Sequence, residues 1–127
     1  MSDYTKVNLR DVKDMAAEWG IEGLEARFAR TSLELEKFGV GYEKLSPNFR
    51  VPFGHTHAEQ EEVYVILGGS GRIKVGDEVI DVEQWDMVRV PAGTIRNPEA
   101  GPDGMEVLAI GAPHLDDAEL LQGWWSD

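Results

Sequence analysis

The 127-residue sequence contains no cysteine. This absence excludes disulfides, thiolate nucleophiles and cysteine-ligated zinc or iron–sulfur sites. A metal ion bound by this chain would therefore need nitrogen and oxygen ligands.

Basic residues are also few. The sequence has 12 lysines and arginines and 24 aspartates and glutamates, which gives a formal net charge of -12. Such a charge repels phosphate backbones and anionic membrane surfaces. We therefore expect neither a nucleic acid nor a membrane as a partner. No apolar run approaches the roughly 18 residues of a membrane span, and the N-terminus lacks the pattern of a secretory signal. The sequence predicts a soluble, cytoplasmic protein.

The length is that of one domain with a single core. We predict one domain over residues 1–127, with an N-terminal helical segment at 1–23, a β-barrel at 24–113 and a C-terminal tail at 114–127.

From residue 24 onward, apolar and polar residues alternate with a period of two, which is typical of β-strands. Glycine, proline, asparagine and aspartate separate the strands, and Ser70-Gly71 and Gly76-Asp77 resemble hairpin turns. So many short strands predict an all-β fold, a sandwich or barrel of the jelly-roll kind. After the first strand, further strands are predicted at 32–38, 39–45, 63–67, 72–75, 78–82, 87–90 and 105–110.

The two ends have different patterns. Near the N-terminus, Asn8 can cap a short amphipathic helix. Its apolar positions have helical spacing and are Val12, Met15, Ala16 and Trp19. In the tail, residues 116–121 predict a helical turn, and Trp124 and Trp125 are expected to anchor the tail by aromatic burial.

The stretch GHTHAEQEEVYVILGGSG, residues 54–71, concentrates side chains of the metal-ligand type. His55 and His57 are two residues apart, so on a strand both imidazoles would lie on one face, about 6.6 Å apart along the chain. One ion could bind both. Candidates for a third ligand follow, and they are Glu59, Gln60, Glu61 and Glu62. Periodicity does not choose between Glu61 and Glu62, because a turn or bulge at 58–60 would exchange the faces.

This stretch resembles the first motif of the cupins, which runs Gly, five residues, His-x-His, three or four residues, Glu, six residues, Gly. Here the match reads His55, Thr56, His57, four residues, Glu62, six residues and Gly69. The resemblance selects Glu62 as the third ligand and leaves Glu61 and Gln60 in reserve. It implies a double-stranded β-helix, the cupin jelly-roll barrel, holding a divalent ion of iron, manganese, nickel or zinc.

The second cupin motif is only partly matched by WDMVRVPAGTIRNPEA, residues 85–100. Pro91 and Gly93 are in place, but Arg96 stands where cupins usually have a histidine that serves as the fourth protein ligand. A guanidinium cannot replace that histidine, since it stays protonated and offers no lone pair. The resemblance therefore implies at most three protein ligands.

Two hypotheses follow from Arg96. In the first, His55, His57 and Glu62 hold the metal, and Arg96 clamps a small anionic organic ligand beside it. Tyr64 and Phe53 would line the pocket. The protein would then be an enzyme such as a dioxygenase, decarboxylase or isomerase.

In the second hypothesis, Arg96 forms a salt bridge with Glu62 or Glu61 in place of the metal. The barrel would then be a metal-free module that binds a small molecule or has a structural role. Under either hypothesis the resemblance implies a homodimer, with the helix near residues 12–19 and the tail containing Trp124 and Trp125 as candidate surfaces.

Overall fold

The structure is a computed structural model that describes residues 3–127. Within these residues the chain is mostly β, and the sequence prediction of an all-β jelly-roll barrel with a short N-terminal helix is confirmed. The strands are β1 (Leu24–Phe28), β2 (Gly39–Leu45), β3 (Phe53–His57), β4 (Glu61–Val75), β5 (Glu78–Glu83), β6 (Met87–Val90), β7 (Arg96–Ala112) and β8 (Ala118–Gln122). The helices are α1 (Met15–Trp19) and α2 (Arg30–Leu33), preceded by a 3₁₀ turn at Leu9–Asp11.

The two longest strands, β4 and β7, form one antiparallel pair that organises the sheet. The first half of β4 also pairs with β6, and the second half pairs with β5. Between the halves the register shifts at a glycine-rich bend, which bulges allow. Gly69 lies at this bend with φ 72°, and a Cβ there would come within 2.1 Å of the Gly104 carbonyl oxygen. Only glycine fits this position.

The remaining strands extend the sheet from β7 in the order β1-β2-β7-β3-β8. Side chains that alternate along these strands meet in one hydrophobic core, as the period of two requires. The fully buried members of that core include Leu45, Ile66, Ile73, Val90 and Met105. Among the described residues, no helix is both long and apolar enough to cross a membrane.

The N-terminal helix begins later than the sequence predicted. Asn8 caps the 3₁₀ turn and not the α-helix. Its side chain accepts a hydrogen bond from the backbone N–H of Arg10. Asp14 caps α1 instead, and its side chain also accepts a hydrogen bond from the backbone of Ala26 in β1. This second bond, to a neighbouring strand, is a tertiary contact that local capping patterns do not contain.

Two local predictions between the strands were wrong. Residues 32–38 do not form a strand, because the chain must reverse between the antiparallel neighbours β1 and β2 and does so through α2 and a turn. Ser70 and Gly71 are not a hairpin turn but continue β4, paired with Glu83 and Val82 of β5. The turn predicted at Gly76-Asp77 is present, between β4 and β5.

The C-terminal segment is a strand where a helical turn was predicted. Residues 118–122 form β8, which pairs along the whole of β3. An unpaired strand edge offers hydrogen bonds that outweigh the local helical preference of this segment. The predicted aromatic anchor is present, since Trp125 is 7% exposed and lies under the Arg50 guanidinium, 3.9 Å from the ring centroid.

Candidate metal centre

Strand β3 brings the two histidines to one face, as the spacing of two residues requires. Phe53, His55 and His57 alternate on β3 with Gly54 and Thr56. The two imidazole rings lie edge to face with centroids 5.1 Å apart. His57 is buried, and His55 and Phe53 are half-buried. Phe53 packs against the core next to the histidines.

Glu62, the second residue of β4, faces both imidazoles. Its Oε1 atom lies 3.5 Å from His55 Nε2, and its Oε2 atom lies 3.8 Å from His57 Nε2. The ligand atoms of these three residues all lie within 4.8 Å of one another. Two imidazole nitrogens and one carboxylate oxygen therefore converge on a single small volume.

The reserve ligands lie elsewhere. Glu61 is exposed, and its carboxylate pairs with the equally exposed Arg89 at 3.0 Å. Gln60 is buried, and its side chain packs against Gly111. A Cβ atom added to Gly111 would lie only 1.9 Å from the Gln60 Oε1 atom. The structure thus places Glu62 inside the barrel and Glu61 outside, which the sequence period alone left open.

Tyr64 lies two residues after Glu62 on the same face of β4 and holds its carboxylate. The phenol donates a hydrogen bond of 2.6 Å to Glu62 Oε1. Burial, together with the negative charge of Glu62, raises the pKa of Tyr64 well above its usual value, so the phenol stays protonated and remains a donor. Burial alone would raise the pKa of Glu62, but hydrogen bonds from His55 and Tyr64 and the charge of Arg96 lower it overall. Glu62 is therefore ionised at neutral pH.

Arg96 opens β7 opposite His55 and is completely buried. Its Nη1 atom donates to the carbonyl oxygens of Thr94 and His55, at 3.0 and 3.4 Å. Its Nη2 atom lies 3.5 Å from Glu62 Oε1, and within the described chain Nη2 and Nε have no hydrogen-bond partner. A buried cation with two unused donors thus lies next to the carboxylate of Glu62.

Asp117, which the sequence analysis did not single out, is part of the same arrangement. Its Oδ1 atom lies 2.8 Å from His57 Nδ1, and its Oδ2 atom accepts hydrogen bonds from the backbone N–H groups of Glu59 and Gln60. Burial alone would raise the pKa of Asp117, but these hydrogen bonds hold it well below its usual range. Asp117 lies 60 residues from His57 in the chain, and no local pattern links the two.

Glu43 was also missed, although the sequence carries a signal for it. It lies on the same face of β2 as Gly41 and Leu45, which are buried, so the strand period places a carboxyl on the inner face. Burial and the negative charge of Glu62 raise the pKa of Glu43 to about 7. The interior therefore contains a carboxyl that can change its charge near neutral pH.

These side chains suit a divalent cation. Near the two imidazoles lie the carboxylates of Glu62 and Asp117 and the titratable carboxyl of Glu43. The guanidinium of Arg96 is the cation beside them, so negative charges outnumber positive ones. A cation between the histidines and Glu62 would offset this excess of negative charge. The donor set of two nitrogens and one carboxylate oxygen fits iron, manganese, nickel or zinc, and it leaves coordination positions open.

The chain is thus a small jelly-roll β-barrel whose inner face carries a cluster of two histidines and one carboxylate. Residues 41–111 match the model of the family described as Cupin domain. The chain belongs to the cupin family. None of the curated proteins compared with the chain matches it.

Solved structures show the same fold. A cupin protein from Bacteroides fragilis is 26% identical, covers 91% of this chain and 89% of its own, and superposes with a TM-score of 0.74. The polyketide cyclase RemF from Streptomyces resistomycificus is 22% identical over 97% of this chain and 87% of its own, with a TM-score of 0.75. Oxalate decarboxylase from Bacillus subtilis is 19% identical, with a TM-score of 0.75 over 94% of this chain and 33% of its own. At these identities the two enzymes share the fold with this chain.

Proposed function

We propose that this cupin binds one divalent metal ion through His55 Nε2, His57 Nε2 and a carboxylate oxygen of Glu62. The observation that carries the proposal is the convergence of these ligand atoms to within 4.8 Å of one another inside the barrel. Tyr64 supports it, because its hydrogen bond fixes the Glu62 carboxylate. Iron, manganese, nickel and zinc are the candidate ions, since all accept imidazole and carboxylate ligands.

The ligand is a small anionic organic molecule. A bound ion would supply Lewis acidity and open coordination positions for it. The Arg96 Nη2 atom lies 3.5 Å from Glu62 Oε1, so an anion that binds beside Glu62 gains a nearby permanent cation. Phe53, on β3 with the histidines, and Tyr64, on β4 with Glu62, supply apolar surface for the carbon skeleton.

The reaction class is that of a dioxygenase, a decarboxylase or an isomerase, and in this proposal the enzyme acts on a small anion held next to the metal. Glu43 supports acid–base chemistry of this kind. It is half-buried on the inner face of β2, and burial with the charge of Glu62 raises its pKa to about 7. A carboxyl with such a pKa can give up or accept a proton near neutral pH.

A specific contact favours a second candidate function, a metal-free binding or structural module. The Arg96 Nη2 atom is 3.5 Å from Glu62 Oε1, and the guanidinium is completely buried. In this alternative the ion pair takes the place of the metal and the histidines bind a ligand by hydrogen bonds. Two unused donors on Arg96 weigh against it, because a salt bridge that replaced a metal would be expected to satisfy them.

Elemental analysis of protein purified without chelator separates the two candidates. For the metal site we expect close to one ion per chain in the wild type, a strong loss in His57→Ala, and no change in His114→Ala. His114 is the matched control, because it is an exposed histidine outside the cluster. Metal well below one per chain that does not respond to His57→Ala would favour the metal-free module.

We also propose that the protein is a cytoplasmic homodimer. Trp125 packs on its own barrel, so the α1–β1 side is the stronger candidate surface. There Trp19 and Phe28 are about half exposed, with ring centroids 6.0 Å apart. Light scattering should give twice the chain mass of 14.1 kDa for the wild type and a lower mass for Trp19→Ser. A mass of 14.1 kDa for the wild type would overturn the dimer.

A further inference from the structure

The C-terminal segment is fastened to the strand that contains the histidines. Strand β8 pairs with β3 from Phe53↔Gln122 to His57↔Ala118. Trp124 packs over Gly54, where a Cβ would come within 2.7 Å of the indole ring. Asp117 lies immediately before β8, so this fastening places its carboxylate beside His57.

Both oxygens of the Asp117 carboxylate have polar partners, and these contacts determine which ring nitrogen of His57 carries a proton. The Oδ2 atom accepts hydrogen bonds from the backbone N–H groups of Glu59 and Gln60, at 2.8 and 3.0 Å. The Oδ1 atom faces His57 Nδ1 at 2.8 Å. An ionised carboxylate has no proton to donate, so Nδ1 must be the donor. In the neutral ring the lone pair is then on Nε2, the atom that faces Glu62 at 3.8 Å.

We propose that Asp117 is a positioning residue that fixes His57 as the Nδ1-protonated tautomer and aims its Nε2 lone pair at the gap between His57 and Glu62. The inference rests on the proposed metal site and deepens it. A histidine ligand binds a metal through a nitrogen lone pair, and a hydrogen bond at the other ring nitrogen sets which nitrogen that is. A segment outside the motifs that identify the fold would thereby control the orientation of one of the ligands.

The substitution Asp117→Asn tests this, because it keeps the shape of the side chain and changes its donors. The amide oxygen should take the position that accepts from the backbone of Glu59 and Gln60, since two donors point there. The amide NH₂ group then faces His57 Nδ1 as a donor, and the imidazole must place its own proton on Nε2. Asp116→Asn is the matched control, because it removes the same charge from the exposed neighbouring residue.

The first measurement is long-range ¹⁵N–¹H NMR of the imidazoles in metal-free protein, at roughly pH 8.5, about two units above the pKa of an unperturbed imidazole. We expect His57 as the Nδ1-protonated tautomer in the wild type and in Asp116→Asn, and as the Nε2-protonated tautomer in Asp117→Asn. An Nε2-protonated His57 in the wild type would overturn the inference. So would a His57 tautomer that does not respond to Asp117→Asn.

The second measurement is the affinity for Zn²⁺ as the probe ion. Loss of such an outer hydrogen bond lowers metal affinity by about 10–100-fold, so we expect that loss in Asp117→Asn and a change below about threefold in Asp116→Asn. Equal affinities in the two variants would overturn the positioning role. If the wild type binds no Zn²⁺ although the tautomers change as described, the proposed metal site is wrong and the control of the tautomer by Asp117 stands.

Discussion

His55 and Glu62 are seven residues apart in the sequence and meet inside the barrel, with Nε2 and Oε1 3.5 Å apart. His55 lies on β3, which pairs with β7 and β8, and Glu62 lies on β4, which pairs with β5, β6 and β7. The contact therefore depends on the curling of the sheet and not on pairing between the two strands. This closure gathers three side chains of the metal-ligand type from one polar run of sequence into a single cluster.

The two neighbouring glutamates give a direct test of which carboxylate binds metal. Glu62→Gln should lower the Zn²⁺ affinity by more than about tenfold, because a neutral amide is a weaker ligand than a carboxylate. Glu61→Gln should leave the affinity within about twofold, since Glu61 is exposed and paired with Arg89. Competition with a chromophoric chelator measures both, on variants whose circular dichroism shows the wild-type fold. Equal losses would contradict the assignment of Glu62.

Removing the charge of Arg96 should affect the metal-free protein more than the metal-loaded one. Arg96→Met leaves the buried Glu62 carboxylate without its cation, which should lower the free energy of unfolding by about 3 kcal/mol. A divalent ion can replace the lost positive charge, so Zn²⁺ should raise the melting temperature more in the variant than in the wild type.

Arg89→Met is the control for that experiment. It breaks the exposed pair with Glu61 and should change the unfolding free energy by less than about 0.5 kcal/mol. If Zn²⁺ stabilises neither the wild type nor Arg96→Met, the metal-free module becomes the better description of the protein.

Glu43 should make the stability of the metal-free protein depend on pH. Its folded pKa of about 7 lies above the ordinary value of 4.5, so between these values the folded state holds a proton that the unfolded state loses. The contribution of Glu43 to stability therefore falls as the pH rises through this window and stays low above it. Glu43→Gln should remove this fall. The free energy of unfolding of the variant, relative to that of the wild type, should therefore rise by about 2 kcal/mol from pH 5 to pH 8.

Urea unfolding at several pH values measures this difference. Glu61→Gln provides the control, because it also replaces a glutamate but at an exposed position of β4. A constant difference between Glu43→Gln and the wild type across the pH range would show that Glu43 is not a buried, titrating carboxyl.

The C-terminal tail is anchored by Trp125, whose ring contacts two arginines. Its ring is 3.9 Å from the Arg50 guanidinium and 5.2 Å from that of Arg72. Trp125→Ala should lower the free energy of unfolding by about 3 kcal/mol, through lost burial and lost cation–π contact. Trp85→Ala, at a tryptophan that is 69% exposed, should change it by less than about 0.5 kcal/mol. Equal effects of the two substitutions, measured by denaturant unfolding, would contradict the anchoring of the tail.

Much of the fold could be predicted because its signals are local. The period of two marked β2 and β6 with the bounds that the structure has. Strand β3 has the sequence FGHTH, in which Phe53 and Thr56 are of the aromatic or β-branched type that marks strands but Gly54 and the two histidines are not. Strand β8 forms because β3 offers an edge, which no local pattern of residues 118–122 contains.

The candidate site divides in the same way. The spacing of His55 and His57 placed them together, but the choice of Glu62 over Glu61 needed either the family motif or the structure. Glu43 could have been found from its spacing of two residues from Gly41 and from Leu45, which places all three on one face of β2. Asp117 could not, because its contact with His57 spans 60 residues and depends on tertiary pairing.

Anomalous diffraction from crystals of protein purified without chelator tests the central claim most directly. We expect one anomalous peak at about 2.0–2.2 Å from His55 Nε2, His57 Nε2 and a carboxylate oxygen of Glu62, and its absorption edge would identify the metal. A pocket without an anomalous peak, with the Arg96 guanidinium hydrogen-bonded to both oxygens of Glu62, would contradict the account.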